Sequence, residues 1–143
     1  MVEVSGNIWD YLGRAVIALT TNGSLTRDGR AVVGRGVARQ ACSYCPDLPQ
    51  RLGSLLRRGG NHVHPLGGGL VTFPVEETAW SHPDPMLIAR SARELRGLAD
   101  RERWETIVVP RPGCGGGGLD WKDVTPLLQP HFDNRFLVIS PSR

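Results

Sequence analysis

The chain has a single lysine, Lys122, among 17 Lys and Arg residues, so nearly all its fixed positive charge is arginine. That scarcity excludes a Gly-Lys-Ser/Thr phosphate loop of the ATP-binding kind and leaves a lysine nucleophile one place to sit. Long apolar runs are also missing: nothing approaches the roughly 20 residues needed to cross a bilayer. The opening Met1-Val2-Glu3-Val4 lacks the basic-then-apolar pattern of a secretory leader, and a cytoplasmic protein with no membrane association is expected. The three cysteines are an odd number, which in such a chain implies reduced thiols. Cys42 and Cys45 form a lone C-x-x-C that His62 and His64 could extend to a zinc set on paper. The cysteines fall in an arginine-rich helical stretch and the histidines in a strand-like alternation, so no metal is expected, and no cofactor. Aromatic residues make up 6% and few stand among the arginines, which counts against a single-stranded nucleic-acid platform.

What is present fits one domain over residues 1–143, expected to be monomeric. A chain of this size buries roughly two-thirds of its unfolded surface and needs no covalent staples. Arg27, Arg30, Arg35 and Arg39 cluster against Asp28 alone, and Arg57-Arg58 precede Gly59-Gly60. Such local charge suits a phosphate-bearing ligand or nucleic acid, with solvated loop arginines as the plainer alternative.

Hydrophobic patterning predicts an alternation of strands and helices. A short apolar/acidic alternation covers residues 2–4, and a β-branched run over 15–20 exits through Thr21-Asn22-Gly23. Residues 24–36 read as a long polar loop, 37–45 as a helix stopped before Pro46, and 49–58 as a second helix. Strands over 62–66 and 69–75 form a hairpin through Gly67-Gly68, with Pro74 ending the second near an edge or bend. The longest helix signal spans 85–101, followed by a strand at 106–110, a helix at 120–128 and a last strand at 135–139. The fold class expected is α/β, a three-layer α/β/α sandwich around a central mixed sheet.

Two glycine-rich loops, each after a strand and before a helix, carry the functional signal. The second runs Gly113-Cys114-Gly115-Gly116-Gly117-Gly118-Leu119 and opens a helix at Asp120, a favourable capping residue. Glycine lets backbone N–H groups approach an anion, and a helix start adds a favourable dipole. The first, Gly34-Arg35-Gly36-Val37, is weak alone, but the pair suits the two phosphates of one diphosphate.

Together with Gly6-Asn7-Ile8-Trp9, Thr21-Asn22-Gly23 and Phe73-Pro74-Val75-Glu76, these loops resemble a macrodomain across nearly the whole chain. The specific part is Gly113-Cys114-Gly115-x-Gly117-Gly118-Leu119-Asp120-Trp121. The likeness is to the branch of terminal ADP-ribose protein glycohydrolase and the DNA-ADP-ribosyl glycohydrolase antitoxins. It implies ADP-ribose as ligand, and ADP-ribosylated protein, or ADP-ribosylated nucleic acid, as partner. It places Asn7 against the adenine amino group, where most relatives carry Asp, and Ile8 beside it as a backbone donor. It places Asn22 by the distal ribose, Gly34, Arg35, Gly36 and Val37 along one side of the diphosphate, and Gly113 to Leu119 along the other.

The resemblance breaks where chemistry is concerned. The branch's catalytic lysine aligns with Glu76 and its catalytic aspartate with Gly117. Glu76 can replace the lysine's positioning role but not its nucleophilicity. The expectation is therefore hydrolysis of mono-ADP-ribose, from an acidic-residue ester first, by a positioned water. Asn22 aligns that water and Asp28 is the candidate general base. Alternatives are an ordinary turn role for Asp28, a non-catalytic ADP-ribose reader, and a nucleic-acid binder using the arginines.

Overall fold

The computed structural model describes residues 1–142. Among the described residues six strands form one sheet in the order β1-β6-β5-β2-β4-β3. They are β1 (Val2–Ser5), β2 (Val16–Asn22), β3 (Pro65–Gly67), β4 (Leu70–Glu76), β5 (Ile107–Pro110) and β6 (Phe136–Ser140). Only β3 runs antiparallel to its neighbour, so the sheet is mixed.

Period-two alternation sends side chains from each strand to opposite faces. Ala18, Val71, Phe73 and Val75 pack under α3 (Pro85–Glu102) and α4 (Trp121–Leu128), with the stacked rings of Phe132 and Phe136. Ile17, Leu19 and Val108 face α1 (Gly36–Ala41) and α2 (Leu48–Gly59) through Ala38, Ala41, Leu48, Leu52 and Leu56. The result is the expected three-layer α/β/α sandwich. Burial of each such Leu, Ile or Phe contributes on the order of 1.5–3 kcal/mol before the entropy of ordering is counted.

Three local expectations are corrected. Pro74 does not end β4. The strand continues to Glu76, and the missing N–H is absorbed by a register slip against β2, from Thr21 opposite Pro74 to Asn22 opposite Glu76. Ser91 Oγ donates to the Pro74 carbonyl at 2.7 Å, and Asp84 N to that of Val75 at 2.8 Å. The strand expected over 62–66 shrinks to Pro65–Gly67, because Glu94 of α3 takes His62 Nδ1 at 2.7 Å and Val63 N at 3.0 Å. The helix expected over 37–45 is regular only over Gly36–Ala41. Ser43 and Tyr44 close tighter turns, donating to Gln40 and Ala41 carbonyls three residues back.

The parallel strands β2, β4, β5 and β6 therefore end together at Asn22, Glu76, Pro110 and Ser140. In open α/β sheets that carboxyl edge is where ligands bind.

Candidate functional site

A cleft of about 930 Å³ opens over this edge. Its walls are the segments 32–38, 75–83 and 110–121 and the chain leaving β6 through Ser140 and Pro141. A smaller hollow of about 400 Å³ lies between Met86, Arg90, Arg93 and His131 on the flank of α3, away from both glycine loops.

The second glycine loop is shaped by its own backbone. Leu119 N donates to Gly113 O at 2.9 Å, and Gly113 has φ +74° with a hypothetical Cβ only 2.8 Å from Leu119 Cδ1. Only glycine fits there without strain. Among the described residues, no protein acceptor takes the N–H groups of Gly115, Gly116 or Gly117. The same holds for Gly34, Arg35 and Gly36 on the facing loop. Two sets of uncommitted donors thus line one cleft, a concavity suited to anionic oxygens. A Cβ on Gly115 or Gly34 would meet nothing within 4 Å. Cys114 is packed into this wall, its Sγ donating to Pro112 O at 3.5 Å, and burial pushes the thiol up, so it stays protonated rather than nucleophilic.

The predicted site residues divide clearly. Asn22, Gly34, Arg35, Gly36, Val37, Gly113, Cys114, Gly115, Gly116, Gly117 and Leu119 line the cleft; Gly118, Asn7, Ile8 and Asp28 do not. Gly118 turns with φ +81°. Asn7 is exposed and caps the 3-10 turn Ile8–Tyr11, its Oδ1 accepting from Trp9 N at 3.0 Å, while Ile8 is buried beneath. Both adjoin the cleft end, since Gly6 N donates to the O of Ser140, a lining residue, at 2.9 Å.

Asn22 spends its amide on its own loop, Nδ2 donating to Val32 O at 3.1 Å and Oδ1 accepting from Ser24 N at 2.9 Å. Asp28 stands outside the cleft. The loop folds on itself through the Leu25–Ala31 bridge, and Thr26 Oγ1 and Arg30 Nε both engage the Asp28 carboxylate. Chiefly the Thr26 hydroxyl, then Arg30, holds that carboxyl below the usual range, which weakens it as a base. Lys122 is exposed in the first turn of α4, and Asp120 occupies the capping position without a side-chain cap bond. Among the described residues no cluster of three or more His, Cys, Asp or Glu is arranged to hold a metal, and no helix is long and apolar enough to cross a membrane.

No family model matches the chain, and no curated protein matches it. Solved structures do. The macrodomain of Mycobacterium tuberculosis DarG superposes with a TM-score of 0.78 at 22% identity, covering 99% of both chains. The Thermus aquaticus DarG macrodomain gives 0.74 at 21%, covering 99% of this chain and 97% of the other. Thermosipho africanus DarTG in complex with ADP-ribose gives 0.75 at 17%, with 99% of this chain spanning 42% of that one. The chain has the macrodomain fold.

Within this fold one cleft residue carried no expectation from the sequence, and a second was read only as the counterpart of a lysine. Trp80 is 84% exposed on the rim, an aromatic side chain in an otherwise polar loop. Glu76 is more informative. It is only 8% exposed, lines the cleft, and receives Arg35 Nη2 at 3.3 Å. A charged residue closing an otherwise apolar strand was the visible signal. The Pro74 slip that sets it opposite Asn22 was not.

Proposed function

We propose that the cleft binds ADP-ribose and that the protein hydrolyses mono-ADP-ribose from modified macromolecules, an acidic-residue ester foremost. The observation that carries the binding is the pair of facing loops with uncommitted N–H groups at 34–36 and 115–117, a cradle for a diphosphate. The cleft volume suits a ligand of that size. In this reading Gly34, Arg35, Gly36 and Val37 hold one side of the diphosphate, and Gly113 to Gly117 with Leu119 the other. The second lone pair of Asn7 Oδ1 and the Ile8 backbone serve the adenine. The carrier is an ADP-ribosylated protein, with nucleic acid the other substrate class, and the protein acts as a cytoplasmic monomer.

Hydrolysis proceeds here by water rather than through a lysine adduct. Lys122 lies outside the cleft, and Cys114 is held protonated. Water attacks the anomeric carbon of the distal ribose while the ester carboxylate departs, a leaving group that needs little acid assistance. Asn22 orders the loop beside that carbon. A reader without activity is the second reading, favoured by the glutamate where the resemblance implies a lysine. Incubation with glutamate-, serine- and DNA-linked ADP-ribose separates the two: release from the ester supports the hydrolase, and binding without release from any linkage leaves the reader.

A further inference from the structure

Glu76 is the only acidic side chain buried among the described residues, and its carboxylate faces a cleft otherwise furnished for anions. A buried carboxylate there opposes a diphosphate ligand and carries a desolvation cost. Such a group needs a compensating partner and, in a site built for ligand, a purpose. Arg35 is the partner, at 3.3 Å. The same guanidinium borders the second glycine loop, since a Cβ on Gly116 would lie 3.7 Å from its Nη1. Arg35 thus spans from the end of β4 to the loop that would hold phosphate, with its side chain 65% exposed.

We propose that Glu76 is the general base of the hydrolytic step and that Arg35 is its exchangeable counter-ion. The proposal rests on the ADP-ribose hydrolase reading above. A diphosphate seated between the loops draws the guanidinium toward its oxygens, because Arg pairs bidentately with phosphate. Glu76 is then released from its ion pair, and its carboxylate oxygens are free to accept a hydrogen bond from water. Its backbone stays fixed, since Asn61 Nδ2 donates to the Glu76 carbonyl at 3.1 Å and the strand register keeps it beside Asn22. The carboxylate takes one proton from water as the water oxygen bonds to the anomeric carbon. The bond from that carbon to the acyl oxygen breaks, and its electron pair leaves with the carboxylate product. Glu76 then returns the proton to solvent. No oxidant, metal or covalent enzyme intermediate enters the balance.

The test compares the parent, Glu76→Gln and Glu76→Ala for ADP-ribose affinity by calorimetry and for release from an ester-linked substrate. Glu76→Gln keeps the shape and removes both the base and the negative charge. Its kcat should fall by about 100-fold or more, with ADP-ribose bound as tightly as by the parent or more tightly. Added formate should restore part of the rate to Glu76→Ala, as a small carboxylate entering the vacated space, which a merely structural glutamate would not allow. A Glu76→Gln rate within about threefold of the parent overturns the proposal while leaving the hydrolase reading intact. So does a rate loss matched by an equal loss of affinity, with no formate rescue. A parent that binds ADP-ribose and releases none from any linkage overturns both.

Discussion

A Cβ placed on Gly117 would stand 2.5 Å from Cγ of Pro83. The glycine loop is therefore closed down on the segment entering α3, and Gly113 O lies a further 2.7 Å from the same point. The position where the macrodomain resemblance implies a catalytic aspartate has no room for a side chain in this loop shape.

Gly117→Asp should accordingly damage rather than install activity. The loop must shift to admit the side chain, at a cost of about 1–3 kcal/mol. Thermal unfolding should show a drop of several degrees, and calorimetry a weaker ADP-ribose complex. Unchanged stability with faster ester cleavage would mean that the loop opens freely.

The loop between β2 and α1 gives a contrast between neighbours. Asn22→Ala removes both bonds that tie residues 23–32 to the strand end, so rate should fall about tenfold or more. Asp28→Ala should leave both kcat and affinity near parental values, because its carboxylate engages Thr26 and Arg30 outside the cleft. Lys122→Ala should be equally silent, with no reducible protein–sugar adduct trapped in the parent. Steady-state kinetics on the three variants checks all of this, and a selective kcat loss in Asp28→Ala would restore it as a base.

Acid stability should depend on Glu94. Burial would raise its carboxyl, but the Val63 N–H and His62 outweigh this and hold it below its ordinary value of 4.5. A depressed folded value means the contribution is complete above pH 4.5 and is lost as pH falls through the lower, folded value. Glu94→Gln should cost about 1–2 kcal/mol at neutral pH and flatten the decline of melting temperature below that point. Parallel acid limbs in parent and variant would assign the decline elsewhere, the exposed Asp100–Arg135–Asp133 network first.

Most of the architecture was legible because buried strands such as Val16–Asn22 and amphipathic helices such as Pro85–Glu102 satisfy their local periods. Pro74 was misread because the penalty for its missing N–H depends on register, which local sequence does not encode. His62 and Val63 left the strand for Glu94, 32 and 31 residues away in the chain, a long-range contact no local pattern announces. Both glycine loops were visible as composition. The Asp28 assignment failed to meet the cleft because loop direction depends on the Leu25–Ala31 bridge. Glu76 was noticed for the lysine it replaces, whereas its importance comes from burial and from Arg35 reaching across to it.

The cleft between the two glycine loops is proposed to hold the diphosphate of ADP-ribose. Titration of ADP-ribose into the parent and into Gly115→Glu by calorimetry tests it most directly. A Cβ at Gly115 meets nothing in the fold within 4 Å, so the variant should melt within about a degree or two of the parent. The added carboxylate projects where phosphate would lie. Saturable one-to-one binding to the parent, and at least about 100-fold weaker binding to the variant, is the result predicted. No saturable heat from the parent, or equal affinity in the two proteins, would contradict it.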